Sequence, residues 1–208
     1  MRTLILAVVL LAGIAYSQKP KPCITPPQWA SRAFMFDHNY GNMEYIRIVY
    51  DAIYRRKIVI EEDVVVRPGR RFYEYLSLND VHELFKINLK TKECVKMRPR
   101  HWRPFGIPPN STFDNEFEIG GPGEAFTAQQ WTDRIPGFKT AEWIGVYSLK
   151  YCYPVHETFF NRLNISESNT VNFYDIVAGI PDPDMFIPPP ECKTAKWVDE
   201  TDDLPAYV

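Results

Sequence analysis

At 208 residues and a formal net charge of −2, the chain lacks the clustered basic surplus that grips a nucleic-acid backbone. Aromatic residues make up 14% of it, and 18 Pro stand against 10 Gly, a composition that suits β-structure joined by Pro-defined loops. The basic runs Arg67-Pro68-Gly69-Arg70-Arg71 and Arg98-Pro99-Arg100 are short and read as solvated turns rather than a binding patch.

Residues 1–17 read as a signal peptide cleaved before Gln18. Arg2 supplies the positive start, residues 4–14 form an apolar core too short to span a bilayer, and Ala15 and Ser17 are small at the cleavage offsets. An uncleaved signal anchor is the alternative. The expected product is soluble, secreted and extracellular. Residues 18–198 are expected to form a single β domain, and a mature chain of about 190 residues is ample for one core.

Residues 18–27 are an extended, Lys- and Pro-rich lead-in to Cys23. From Trp29 onward the apolar residues recur with period two, the signature of strands. Strands are expected over 29–36, 43–50, 57–60, 63–66, 71–78, 81–89 and 93–97, with a two-residue hairpin signal at Asn79-Asp80. A Pro-rich loop follows over 101–109. Shorter strands come at 116–119 and 125–131, then 157–163 and 170–178. Between them, 142–152 alternates Trp143, Gly145, Tyr147, Leu149 and Tyr151 against Ile144, Val146, Ser148, Lys150 and Cys152, the pattern of one long strand stopped by Pro154. Pro181-Asp182-Pro183 starts a short helical turn through Phe186. Residues 199–208 form an acidic tail expected to be disordered. The whole is an all-β, mainly antiparallel fold, either a sandwich or a barrel.

Cys23, Cys94, Cys152 and Cys192 form an even set without close spacing, which in a secreted chain reads as two disulfides whose pairing the spacing leaves open. Asn110-Ser111-Thr112 and Asn164-Ile165-Ser166 are N-glycosylation sequons on expected surface loops. None of the nucleophile, zinc or nucleotide motifs occurs, and the histidines His38, His82, His101 and His156 are scattered, so no enzyme is expected. His156-Glu157 is the nearest approach to a general base, and a structural histidine is the stronger reading there.

Calcium needs several oxygen ligands at flexible spacing. Asp114, Glu116 and Glu118 beside Asn115 are the candidate set; the tail carboxylates Asp199, Glu200, Asp202 and Asp203 are a second. The aromatic face of Trp143, Tyr147 and Tyr151, joined by Phe72, Phe85, Trp131 and Phe173, must lie against something. It is either a packed core or the lining of a cavity that takes a hydrophobic small molecule or lipid.

Several motifs resemble the ependymin-related proteins, in order from Pro22 to Cys192. They are Pro22-Cys23 with Pro26-Pro27-Gln28-Trp29, Phe72-Tyr73-Glu74-Tyr75, Lys92-Glu93-Cys94-Val95-Lys96-Met97 and Ile107-Pro108-Pro109-Asn110-Ser111-Thr112-Phe113. Ile119-Gly120-Gly121-Pro122, Trp131-Thr132-Asp133-Arg134, Trp143-Ile144-Gly145-Val146-Tyr147 and Cys152-Tyr153-Pro154-Val155 continue the match. Pro181-Asp182-Pro183 and Pro188-Pro189 close it. The resemblance implies two stacked sheets forming a half-open β-barrel, similar to bacterial lipoprotein carriers, with a hydrophobic pocket. It implies calcium binding, a lipid ligand, cell–matrix adhesion and a homodimer, and it implies the pairs Cys23–Cys152 and Cys94–Cys192. A third family bridge has no counterpart here, with Gly69 near one of its positions. The expected function is a secreted glycoprotein binding a hydrophobic ligand in that pocket, with calcium. The alternative is an extracellular-matrix adhesion glycoprotein that uses the domain as a calcium-dependent scaffold, with matrix components as partners.

Overall fold

The computed structural model describes residues 20–38, 41–64, 72–133, 141–163, 168–199 and 204, with residues 63 and 64 described in backbone only. Twelve strands form one continuous sheet: β1 (Gln28–Asp37), β2 (Asn42–Asp51), β3 (Arg56–Val64), β4 (Tyr73–Leu78), β5 (Glu83–Asn88), β6 (Cys94–Met97), β7 (Thr112–Ile119), β8 (Phe126–Asp133), β9 (Ala141–Ser148), β10 (Pro154–Asn161), β11 (Asn169–Ala178) and β12 (Lys196–Trp197). Their order is β12-β6-β5-β4-β3-β2-β1-β11-β10-β9-β8-β7, and only β12 against β6 is parallel. The expected all-β antiparallel fold is therefore present. The two expected sheets are one sheet, strongly curved and left open, because its edges β12 and β7 do not pair.

Local chemistry sets the corners. Asp51 is fully buried at the end of β2, and its carboxylate accepts from the backbone N–H of Ile53 (3.0 Å) and Tyr54 (3.3 Å) and from Arg56 Nε (2.8 Å). That closes the β2–β3 turn. At Asn79–Val81 the expected two-residue hairpin is a 3-10 turn, ended by His82 in the left-handed region at φ 57°. Residues 63 and 64 of the strand expected at 63–66 end β3, which runs on past a register shift opposite Tyr45/Ile46, while residues 65 and 66 lie outside the described residues. Pro154 opens β10, a position where its missing N–H costs no ladder bond.

The two faces of the curved sheet are both apolar. The concave face carries Trp29, Ala33, Met35, Ile46, Ile48, Tyr50, Val59, Tyr75, Leu84, Val171 and Phe173. The convex face of β1–β5 carries Ala30, Val49, Ile58, Leu76, Phe85 and Ile87, roofed by Phe186 and Cys192 from the 3-10 turns Pro183–Phe186 and Pro190–Thr194. The first of these turns is capped as its sequence requires: the Asp182 carboxylate accepts from Asp184 N–H at 3.0 Å, with Pro183 next in line.

Both disulfides form as the resemblance implies. Cys94–Cys192 ties β6 to the second 3-10 turn, and the chain leaving it runs beside β6 as β12. Cys23–Cys152 ties the N-terminal lead-in to the turn after β9.

Candidate functional site

The concave face of β8–β10 is built by period-two alternation. Tyr147 stands opposite Gln129, Gly145 opposite both Trp131 and Glu157, and Trp143 opposite Asp133 and Phe159, so all of these project to one side. Trp143 packs toward Tyr147 at 6.2 Å between ring centroids, and Phe113 of β7 meets Trp131 edge-on at 5.3 Å. Gly145 makes this wall possible. A Cβ there would lie 2.2 Å from Trp143 Cζ2 and 2.8 Å from Tyr147 Cε2, so the absent side chain is the space that the indole occupies.

Two ionisable groups of the concave face influence each other. Glu157 of β10 and Lys57 of β3 interact electrostatically although β2, β1 and β11 lie between their strands in the sheet, as a curled sheet allows. Desolvation by burial raises the Glu157 carboxyl to about 7, against the opposing effects of the Tyr147 hydrogen bond and the Lys57 charge. Desolvation likewise lowers the Lys57 ammonium to about 8, helped by Arg100 and opposed by Glu157. The Tyr147 hydroxyl donates to Glu157 Oε1, and burial first, then the Glu157 charge, raises its own pKa well above the ordinary range. Lys57 and Glu157 are each surrounded by protein yet keep some accessible surface.

A strap, residues 98–111, packs across one end of the concave face. Trp102 stacks on Tyr50 at 5.5 Å and 3° between planes, while Phe105 packs edge-on against Trp29 (5.1 Å), Tyr50 (5.1 Å) and Phe173 (6.0 Å). Polar bonds hold it in place. Phe105 N–H donates to the Tyr50 hydroxyl (3.1 Å), Thr25 Oγ1 donates to Phe105 C=O (3.1 Å), and Ile107 N–H donates to Cys23 C=O (2.9 Å). Gly106 also bonds the Tyr147 hydroxyl through its backbone. It adopts φ 145°, and a Cβ there would lie 2.8 Å from Ile24 Cα. The strap can cross the lead-in this closely only with glycine.

Of the residues expected to line a pocket, Trp131, Trp143, Tyr147 and Phe173 do share the concave face. Three do not. Phe85 is buried on the convex face against Phe186 and Cys192, because both sides of β5 are covered. Tyr151 is 57% exposed: β9 stops at Ser148, and residues 149–152 form a turn that Cys152 N–H closes on the Ser148 carbonyl (2.9 Å). Phe72 precedes β4 and is 37% exposed. Lys57, Arg100, Trp102 and Phe105 were not among the expected site residues. Lys57 gives a local signal, a charge set directly before the apolar run Ile58-Val59-Ile60 of β3.

The three candidate calcium ligands are not brought together. A bulge between Phe113 and Asn115 turns Asp114 toward Gln130 (3.3 Å) and Thr132 (3.2 Å), whereas Glu116 and Glu118 face Gln129 (3.1 Å) and Thr127 (2.7 Å). Among the described residues no group of three or more His, Cys, Asp or Glu converges to hold a metal ion. Asp199 is exposed, while Glu200, Asp202, Asp203, Gly69 and the sequon at Asn164 lie outside the described residues, as does the signal peptide. Asn110 is exposed on the strap. On the convex side, an open cleft of about 540 Å³ is lined by Gln28, Tyr54, Arg56, Ile180 and Pro183. Arg56 is committed there to Asp51 and to the rings of Tyr54 and Phe186.

Comparison with known proteins agrees with this architecture. Mammalian ependymin-related protein 1 of Mus musculus is 37% identical over 178 residues, covering 85% of this chain and 79% of its own length. The Rattus norvegicus protein of the same name is 36% identical over 193 residues, covering 91% and 85%. Ependymin of Notemigonus crysoleucas is 23% identical over 198 residues, covering 93% and 90%. An uncharacterized conserved protein from Thermus thermophilus shares the fold at a TM-score of 0.54 and 12% identity, over 83% of this chain and 90% of that one. The Ependymin family model matches residues 67–192, and with these relatives it establishes that the chain belongs to the ependymin family.

Proposed function

We propose that the protein is a secreted, glycosylated carrier that holds an apolar ligand in the concave face of its open sheet. The observation that carries this reading is the wall of Trp131, Trp143, Tyr147 and Phe113, which lies beside a buried Lys57–Glu157 pair that keeps accessible surface. A folding core gains nothing from burying an ionisable pair. A binding hollow uses a few polar groups set in an aromatic lining to orient its ligand. Two disulfides and an exposed Asn110 support the secretory route.

Protein purified from a eukaryotic secretory host, denatured and extracted, is expected to release lipid in near-stoichiometric amount by mass spectrometry. Emptied protein is expected to take up a fluorescent fatty acid. Protein that is consistently empty and takes up none would refute the carrier. Enzymatic removal of N-glycans is expected to shift the secreted protein on a gel, and Asn110→Gln to reduce that shift.

A further inference from the structure

The C-terminal tail reaches back into the concave face at one residue. Leu204 is 4% exposed and belongs to the same cluster as Tyr50, Leu84 and Met97, against which Trp102 and Phe105 of the strap also pack. The chain leaves the sheet just before it: β12 ends at Trp197, Val198 N–H donates to the Lys96 carbonyl (2.8 Å), and Asp199 is exposed. Arg100 Nη2 then donates to the Leu204 carbonyl at 3.1 Å. The Arg100 backbone is itself fixed, because its carbonyl accepts from Asn79 Nδ2 (2.9 Å) and Asn79 Oδ1 accepts from Ser77 Oγ (2.7 Å). Ser77 stands in the cross-strand row Tyr50, Lys57, Ser77, Leu84, Met97, so Leu204 enters the concave cluster at the Lys57 end of the proposed ligand site. No strand ladder includes Leu204. The strap differs, being held by stacked rings and by bonds to Tyr50, Thr25 and Cys23. Leu204 is thus a branched alkyl group laid on an apolar lining, the contact that an acyl chain would make, and it can leave with every ladder intact. Asp199, Glu200, Asp202 and Asp203 precede it in the sequence, residue types that water solvates well once the tail is released.

Building on the carrier reading above, we propose that Leu204 is a built-in competitor of the ligand. In the empty protein the tail docks this side chain on the concave face, and an apolar ligand displaces it. Binding and tail release are then one equilibrium. The docked tail lowers the apparent affinity by the fraction of molecules whose site it fills, and its release is the outward sign of a loaded protein. Arg100 holds the backbone of the docked tail and not the ligand.

The test uses the delipidated full chain, a polarity-sensitive acyl fluorophore and oleic acid. Leu204→Ser is expected to bind the fluorophore about tenfold tighter than the wild-type chain, because the apolar hold of the tail is gone. Unchanged or weaker binding overturns the competitor, since a residue that only completes the core can only damage the site when it is removed. A second measurement follows the Leu204 methyl resonances of the wild-type chain, assigned by their absence from Leu204→Ile. They are expected to move to random-coil positions as oleic acid saturates the protein. Methyls that keep their buried positions in the loaded protein overturn the competitor and leave the carrier standing, even if Leu204→Ser fails to fold. Uptake of the fluorophore by neither the wild-type chain nor a folded Leu204→Ser overturns the carrier reading itself.

Discussion

Gly145 fixes the proposed ligand wall at the level of single atoms. Its missing side chain lets the Trp143 indole lie over β9. Gly145→Val is expected to push that ring outward, at an overpacking cost of about 1–3 kcal/mol, and to weaken uptake of an acyl fluorophore more than tenfold. Denaturant melts and a binding titration on one preparation check both. Glu157 sets the pH response. The unfolded carboxyl titrates near 4.5 and the folded one near 7, so the folded state holds its proton more tightly. Stability is therefore greatest below about 4.5 and falls as pH rises toward 7. Lys57 acts in a separate window. Its folded ammonium gives up a proton near 8 and the unfolded one near 10.5, so the destabilisation it causes is complete below about 8 and is relieved as pH rises from 8 to 10.5. Glu157→Gln is expected to reduce the decline between pH 4.5 and 7, read as the shift of the urea midpoint with pH, and to leave the part that the raised Glu74 carboxyl contributes; an unchanged decline would assign it elsewhere. The Asp51 carboxylate gathers three donors in a fully buried corner, and Asp51→Ala is expected to cost about 3–5 kcal/mol by leaving Arg56 uncompensated.

Among the elements, the strap is the one that moves least predictably from sequence to structure. Its Pro-rich composition marks residues 101–109 as a loop, and nothing local says that Trp102 and Phe105 turn inward onto Tyr50 and Trp29. Trp102→Ala is expected to cost roughly 2 kcal/mol, less than a fully buried Trp, and to speed uptake of a fluorescent fatty acid in stopped flow. Slower or unchanged uptake would show that the strap does not limit access. Strands are a different matter. Alternation alone places Trp143 and Tyr147 on one face, and Ile46, Ile48 and Tyr50 on another strand's buried face. It does not say which face is concave. Phe85 shows why: Leu84 and Phe85 are both buried, one inside and one beneath Phe186, so a strand covered on both sides carries no label. Tyr151 shows the second limit, since period two persists in the letters after the chain has turned. Asp114 shows the third, because one bulge reverses the side on which a carboxylate falls.

The whole molecule is a single curved sheet whose closure rests on covalent ties as well as packing. Cys23–Cys152 spans 129 residues and Cys94–Cys192 spans 98. In the chain-entropy model each loop contributes about 4–5 kcal/mol by constraining the unfolded chain. Cys23→Ser with Cys152→Ser is expected to lose an amount of that order, and to free the lead-in that holds the strap at Ile107. The edge strand β7 presents exposed Asp114, Glu116 and Glu118, and that charge guards an unpaired edge against further strand addition. The pairing of cysteines and the half-open architecture follow from family resemblance. The buried ionisable pair does not, because Lys57 and Glu157 are far apart in sequence and meet only once the sheet has curled.

The concave face is the proposed ligand site, and photocrosslinking with a diazirine-bearing fatty acid tests it most directly. Crosslinked peptides are expected from β8, β9, β10 and β3, centred on Trp143, Glu157 and Lys57, and to be lost when unlabelled fatty acid competes. Labelling confined to the convex residues Phe34, Tyr45 and Tyr174, or labelling that competitor does not displace, would contradict a ligand-filled hollow.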